Sequence, residues 1–538
     1  MDTTSDRRQG GGRPGPDAAL LDAEVEAFPT GSDESGGPSA GAEAPGRSLG
    51  ANVATLATSQ LITWTLTLLW TFIVPRLLGP QAIGLLVIAT SLASLVTVVL
   101  SFMTRDFLVR EIVSDRAGVN RLVSTALLTR AAAIPLGFVA ATVYGHIAGL
   151  DREAMAVMYL TAAATGCVIL MDVALATFQA SERMQYIAYT DVGSKSLNTL
   201  GGVLLALTGF GIVAVSSFSV LVAALALGVA LWWAHRLVGL GARPAPAIQV
   251  LRKAGPYWLI SVLFVAYVWT DGFLLGILVP TEVVGWYGAA TRLFTTMGFV
   301  AVIVATASLP RMIAAHAESP DRMFAAARQP FEWVFIAGLP LGVGMACTAN
   351  DLVPFLYGHD YANSVIPLVI LSLGLPLTYV NTVAAQVFIA SGRPNMIAWL
   401  LATASAFNIA LNLMLIPLTQ EQWGNGAIGA AASLFLTEVV QVCMCMAIIG
   451  RKLMSRPALV RLGSAALAAA GMAAAVTLTD AAPLAIQVLL GAVTFVGLCL
   501  LLRVPKTSES EMAREGLRRL RGRSRIMPRS DLVEEGPA

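Results

Sequence analysis

Residues Phe178-Gln-Ala-Ser-Glu-Arg-Met-Gln-Tyr-Ile-Ala188 return as Phe388-Ile-Ala-Ser-Gly-Arg-Pro-Asn-Met-Ile-Ala398, with Phe, Ala, Ser, Arg, Ile and Ala in the same order 210 residues later. The match is one of a series. Ile134-Pro-Leu-Gly137 answers Leu339-Pro-Leu-Gly342 at an offset of 205, and Gly211-Ile-Val-Ala214 answers Gly426-Ala-Ile-Gly429 at 215. Pro80 to Gly84 answers Pro280 to Gly285 with one extra residue. The offsets keep their order and drift slowly, as loop insertions would make them. The chain reads as an internal duplication, and duplicated membrane halves build a two-lobed transporter with its site between the lobes.

Composition identifies the solvent. Of 538 residues, 56% are hydrophobic and 13% charged, and mean hydropathy is +0.72. Soluble domains carry roughly 25% charged residues. This chain lacks the charge to cover a water-facing exterior, so most of it is expected in lipid. The five cysteines all lie in apolar runs. Cys443 and Cys445 are two apart and point to different helix faces, and no histidine pair has ligand spacing. Gly193-Ser-Lys-Ser196 lacks the first glycine of a phosphate-binding loop, so no nucleotide site is expected. No metal, cofactor or catalytic residue is expected, and nothing points to nucleic acid.

Residues 1–48 are rich in Gly, Pro and acid, with nine Asp/Glu and four Arg. They are expected to be disordered, and they lack the basic start and apolar core of a signal peptide. From residue 50, fourteen apolar runs of about 20 residues follow one another, from 51–75 and 82–103 to 484–502. Each can cross a ~30 Å hydrocarbon core at ~1.5 Å per residue. The predicted fold is an all-α polytopic membrane protein. An N-lobe (50–235, spans 1–6) and a C-lobe (256–450, spans 7–12) flank a linker at 236–255. Spans 13 and 14 (462–502) have no counterpart, and a basic tail occupies 503–538. Six spans per repeat is even, so the halves share one orientation. Alternate loops hold 17 Lys/Arg against two in the opposite set, which predicts a cytoplasmic basic side and both termini inside. The tail's arginines (Arg514 to Arg529) can meet anionic headgroups or serve only to set orientation.

Ionisable groups inside spans are costly and are kept for pairing or for pathways. Asp271 stands eight residues before the outer end of span 7, ~12 Å deep, and Arg292 seven residues into span 8, ~10 Å deep. The short connection makes these helices antiparallel neighbours, so the two charges are expected to meet. Arg130 and Asp172 repeat the arrangement near the inner side of spans 3 and 4. Two readings stand for each pair: a structural tie between helices, or charges facing a water-filled cavity. In the second, an arginine meets an anionic substrate or Asp271 takes part in ion coupling. A guanidinium suits a pyrophosphate, because its donor fork matches phosphate oxygens. Span 1 carries the polar series Thr55, Thr58, Ser59, Gln60, Thr63 and Thr65, either helix–helix hydrogen bonds or cavity lining, with Gln60 near mid-membrane. Glu438 in span 12 lies near mid-membrane with no evident partner.

Several segments resemble the polysaccharide-transport branch of the multidrug/oligosaccharidyl-lipid/polysaccharide (MOP) exporter superfamily. They are Pro75-Arg-Leu-Leu-Gly-Pro-Gln-Ala-Ile-Gly84, Asp106-Phe-Leu-Val-Arg-Glu-Ile112, Asp271-Gly-Phe-Leu-Leu-Gly276 with Val284-Gly-Trp-Tyr-Gly-Ala-Ala290, Leu356-Tyr-Gly-His-Asp-Tyr361, and Asn408-Ile-Ala-Leu-Asn412 leading to Gly426-Ala-Ile-Gly-Ala-Ala431. The resemblance covers about 50–502. It implies a V of two six-helix lobes around a central cavity, alternating access, and transport of a glycan on a polyprenyl pyrophosphate. It allows glycosyltransferases or a glycan polymerase as partners. The lipid II flippases of the superfamily use cavity arginines, but span 1 here has no basic residue within the membrane, which leaves Arg292 as the cavity arginine on offer. The alternatives are a cation-coupled drug exporter or a lipid II flippase of the same fold. From another class come a membrane glycan-processing enzyme and a non-transporting scaffold. An enzyme of that kind expects a large outer loop with a carboxylate or metal site, and the longest such loop here is about 350–363.

Overall fold

A computed structural model describes residues 49–505 except 117, 242–246 and 480; at 49–61, 64, 247–249, 256, 257 and 394 it describes the backbone alone. The segment 1–48 and nearly all of the tail 503–538 therefore lie outside the described residues. The described chain is helical, without strands. Its helices are α1 (Leu49–Leu100), α2 (Arg105–Ser114), α3 (Val119–Ile147), α4 (Arg152–Ala180), α5 (Met184–Leu207), α6 (Ile212–Val238), α7 (Ala247–Leu278), α8 (Thr281–Met297) and α9 (Phe299–Glu318). There follow α10 (Pro320–Cys347), α11 (Ala349–Tyr357), a 3-10 turn (His359–Ser364), α12 (Val365–Ala390), α13 (Pro394–Trp423), α14 (Gly426–Cys445), α15 (Arg451–Leu453), α16 (Arg456–Thr477) and α17 (Leu484–Leu501).

Twelve helical segments among the described residues are long and apolar enough to cross a membrane, against the fourteen expected runs. The numbers part at two places. Runs 51–75 and 82–103 share α1, and one 50-residue candidate segment, Thr65–Ser114, takes in the rest of α1 from Thr65 together with α2. Gly79 (φ 79°, ψ 172°) divides α1, because Pro80 bars a helical residue before it and supplies no N–H. Run 190–208 falls on α5, which is outside the twelve. Its stretch Thr190, Asp191, Ser194, Lys195, Ser196, Asn198 and Thr199 is too polar for that measure.

Sequence chemistry fixes the other boundaries. Asp151 caps α4 by accepting from the Ala154 N–H at 2.8 Å, and Ser319 caps α10 just before Pro320. Pro280 separates α7 from α8. In the first half of the chain α4 packs on α2, α3 and α6, and α5 packs on α1 and α6. In the second half α12 packs on α9, α10 and α14, and α13 on α7 and α14. The last two helices, α16 and α17, pack on each other and against α10 through Leu339, Ala465, Ala469, Met472 and Phe495.

The repeated undecapeptide folds twice into the same helix end. The Arg183 N–H donates to the Phe178 carbonyl at 2.9 Å and the Arg393 N–H to Phe388 at 3.0 Å. The Ser181 and Ser391 amides reach Thr177 and Val387, both at 3.0 Å. Both ends carry one left-handed residue, Glu182 (φ 56°) and Gly392 (φ 66°), which turns the chain so the last carbonyls find donors. Glycine adopts that conformation freely, whereas a residue with a Cβ is held there at a cost of roughly 1–2 kcal/mol. The first copy therefore holds strain that the second does not. Glu182→Gly should raise the melting temperature of the detergent-purified protein, and Gly392→Ala should destabilise it by about 1 kcal/mol. Equal melting temperatures across all three proteins would refute the strain.

Candidate functional site

Asp271 is 3% exposed on α7. It accepts from the Tyr287 hydroxyl of α8 at 2.7 Å and from Asn412 Nδ2 of α13 at 2.6 Å. Asn412 also donates to Asn408 Oδ1 at 2.9 Å; the two asparagines, four apart, share one face of α13. One turn before Asp271, the Tyr267 hydroxyl donates to Glu438 Oε1 of α14 at 2.8 Å. Asn381 Nδ2 of α12 donates to Glu438 Oε2 at 2.6 Å. Two buried carboxylates thus sit in one polar cluster drawn from five helices, each held by a phenol and an amide. Among the described residues neither forms an ion pair.

The expected meeting of Asp271 and Arg292 does not occur. The helices are neighbours, but Arg292 leaves α8 in a different direction from the side chain of α8 that meets Asp271. Tyr287 faces Asp271, and Arg292, five residues later, lies about 140° further round the helix. Arg292 continues the stripe Thr281, Gly285, Gly288, spaced by four, three and four residues, and that stripe faces α1. A methyl group on Gly285 would fall 1.9 Å from the Pro80 carbonyl oxygen, and one on Gly84 would fall 1.9 Å from the Thr281 carbonyl oxygen. The two halves therefore meet backbone to backbone, each giving one glycine and receiving one. Arg292 stands beyond this seam, half-buried, beside the Tyr357 and Tyr361 phenols. Tyr361 donates to the Pro75 carbonyl at 3.1 Å, and the Tyr357 hydroxyl is buried without a partner. Among the described residues the Arg292 guanidinium has no hydrogen bond and no carboxylate.

Arg130 and Asp172 do meet, at 3.0 Å. Arg130 is 2% exposed and is fully engaged at its terminal nitrogens. It donates to the Ile169 carbonyl at 2.7 Å and to the Met103 carbonyl as well. The guanidinium joins α3, α4 and the break after α1, which is the structural alternative for this pair. Gln60's side chain lies outside the described residues. Sequence reasoning passed over Tyr267, Tyr287, Asn381, Asn408 and Asn412. Their signal was present, in Tyr267/Asp271 and Asn408/Asn412 at one-turn spacing. It also passed over a buried Arg461–Glu332 pair joining α16 to α10, because Arg461 was counted with a cytoplasmic loop. Among the described residues no three His, Cys, Asp or Glu gather.

Other contacts bind the halves along α7. Trp258 Nε1 donates to the Val98 carbonyl at 2.9 Å and stacks on Phe102, with ring centroids 4.9 Å apart. Lys253 meets Glu111 at 3.0 Å, and Tyr144 of α3 donates to the Phe273 carbonyl at 2.8 Å.

Residues 49–316 match the model of a family described as polysaccharide biosynthesis protein. No curated protein matches by sequence. Among solved structures, the fold is similar to a lipid II flippase, MurJ, in an inward closed conformation. The TM-score is 0.69 at 15% identity, covering 84% of this chain and 99% of that one. It is also similar to an inward-facing multidrug resistance MATE-family transporter of the MOP superfamily, with TM-score 0.58, 15% identity, and coverage of 74% and 98%. A MOP-superfamily transporter from Pyrococcus furiosus gives 0.51 at 16% identity, covering 75% and 96%. The fold is that of these MOP-superfamily transporters. The polysaccharide biosynthesis match lies in its first part, and nearly the whole length of each of these folds finds a counterpart in the chain.

Within this MOP-superfamily fold the two kinds of charge should respond differently to substitution. Arg130→Ala strands Asp172 and two buried carbonyls, at a cost of roughly 3 kcal/mol, near the lower limit for buried pairs because Asp172 is a third exposed. Asp271→Asn keeps the shape and the Tyr287 contact. The amount of monodisperse protein after detergent extraction should fall severalfold for Arg130→Ala and stay near wild type for Asp271→Asn. The reverse order would show that Asp271, not Arg130, holds the helices together.

Proposed function

We propose that this chain is a flippase that moves a lipid-linked oligosaccharide or polysaccharide precursor, carried on a polyprenyl pyrophosphate, across the cytoplasmic membrane. Two lobes, 50–235 and 256–450, joined by 236–255, alternate in exposing the space between them, and 462–502 is an appended pair. Fourteen crossings put both termini in the cytoplasm, in keeping with 17 basic residues in one set of loops against two in the other. The reading is of a transporter and not an enzyme. Glycosyltransferases or a polymerase that build the glycan are its expected neighbours.

One observation carries this reading: among the described residues Arg292 is a guanidinium without a carboxylate, on the face of α8 that meets the other half of the chain. An uncompensated cation at membrane depth is kept for a ligand or a pathway. Its donor fork fits diphosphate oxygens, and a drug exporter of cationic substrates has no use for it there. The polysaccharide family match and the likeness to a lipid II flippase support the same substrate class. Asp271 and Glu438, held by neutral donors, are candidates for coupling, since each can take up a cation or a proton without first breaking an ion pair.

Reconstituted in liposomes with a fluorescent lipid-linked oligosaccharide, Arg292→Ala should translocate about tenfold more slowly, a loss of ~1.4 kcal/mol in contact free energy. Arg292→Lys should keep part of the rate, and all three proteins should melt alike because Arg292 bonds to nothing described. Wild-type translocation by Arg292→Ala would remove Arg292 from the substrate path.

A further inference from the structure

The first half of the chain also holds a free cation at membrane depth, and neither the family match nor the reading above uses it. Lys195 lies eleven residues into α5 (Met184–Leu207), ~16 Å from the nearer end at ~1.5 Å per residue. A lysine stem of four carbons does not span that distance, so the ammonium cannot be carried to the headgroups by extending the side chain.

The other exposed residues of α5 show which way lipid lies. Tyr189, Gly193, Leu197, Leu200, Leu204 and Leu207 are all exposed and recur at three- and four-residue spacing along one stripe. Lys195 is exposed too, yet it stands about 160° around the axis from that stripe. It belongs instead to the line Ala188, Lys195, Thr199, Gly202, Ala206, and every other member of that line is buried. A side chain on Gly202 would strike the Trp70 ring of α1, so this line faces α1. Lys195 is the one open position on an inward face. In the expected topology α1 before Gly79 and α5 run the same way. Seven residues back from Gly202 is Lys195, and seven back from Trp70 is Thr63, so Lys195 stands level with the polar stretch of span 1.

Lys195 makes no hydrogen bond or ion pair to any described residue. Asp191, one turn away, feels both Lys195 and Arg105, but neither forms an ion pair with it, and Arg105 is bonded to Gln179 at 3.0 Å. An ammonium that is inward-facing, open and unpaired at this depth belongs to a water-filled space. Arg292 is the second half's unpaired cation among the described residues, on a stripe of α8 that faces the segment of α1 after Gly79. We propose that Lys195, on the face of α5 turned to the segment of α1 before Gly79, is the first half's contact for the anionic diphosphate head of the substrate. The proposal rests on the flippase reading and adds a second anion contact to it.

The test is binding to the full-length protein in detergent, read by intrinsic fluorescence, with farnesyl diphosphate, farnesyl monophosphate, farnesol and inorganic pyrophosphate as probes. Lys195→Gln should weaken farnesyl diphosphate binding about tenfold and Lys195→Arg by no more than about threefold. Farnesol binding and the melting temperature should stay unchanged. The monophosphate should bind more weakly than the diphosphate and lose less on Lys195→Gln. If inorganic pyrophosphate binds as tightly as the prenylated form with the same dependence on Lys195, the contact stands and its ligand is a free diphosphate. Wild-type diphosphate binding unchanged in Lys195→Gln overturns the role of Lys195 and leaves the flippase reading intact. No diphosphate binding by the wild type overturns both.

A second readout tests the inward face directly. In a background without the five native cysteines, Lys195→Cys should react with a membrane-impermeant thiol reagent, and farnesyl diphosphate should protect it. A cysteine at 195 that reacts only with a lipid-soluble reagent would place the position in lipid and end the proposal.

Discussion

Hydrocarbon supplies no hydrogen bonds, so every polar group in the spans must find its partner within the chain or in enclosed water. The polar chemistry of this protein follows from that constraint. Arg130 meets it at both terminal nitrogens by collecting one carboxylate and one carbonyl from α4 and a second carbonyl from the break after α1. Asp271 and Glu438 meet it with neutral donors, a phenol and an amide each. Arg292 and Lys195 do not meet it at all. The first arrangement spends its bonds on architecture. The second holds a carboxylate in place without cancelling its charge. The third leaves a charge with no hydrogen bond or carboxylate among the described residues.

The three arrangements are also distributed unevenly. The Arg130 clamp lies within the first half, where α3 and α4 meet the break after α1. The two neutrally held carboxylates lie within the second half, among α7, α8, α12, α13 and α14. The unpaired cations come one from each half, and both belong to stripes directed at α1. Two halves that share the repeated undecapeptide thus place their buried charges differently.

Sequence alone carried the architecture further than the site. Hydrophobic run length is a one-dimensional property, so thirteen of the expected runs could be placed by length and apolarity, and α5 was found despite its polar stretch. The repeated undecapeptide went further, since identical letters produced identical helix ends with hydrogen bonds equal to within 0.1 Å. Depth is also one-dimensional, and the depths of Asp271 and Arg292 were legible for that reason. Azimuth was not read. Arg292 was paired with Asp271 on depth alone, although its spacing from Gly285 and Gly288 placed it on another face. Lys195 was read as part of a failed phosphate motif, when its spacing from Thr199, Gly202 and Ala206 carried the information. The partners of Glu438 come from α7 and α12, 171 and 57 residues away, and no local pattern in the chain announces such distant neighbours.

The glycine contact between the halves has a consequence for how the molecule moves. Gly84 rests on the Thr281 carbonyl and Gly285 on the Pro80 carbonyl, with no side chain between them. Separating such a surface uncovers little apolar area, and at about 25 cal/mol per Å² a small area means a small difference in free energy. No charge is unpaired by it and no rotamer has to be surrendered to remake it. Interlocked large side chains would act as a ratchet, stable when shut and slow to reopen. Two glycines add little to the hold, which along α7 comes from the Trp258–Val98 and Tyr144–Phe273 hydrogen bonds and the Lys253–Glu111 ion pair. In such a mechanism the ligand, through its differential hold on the two arrangements, decides which one is occupied.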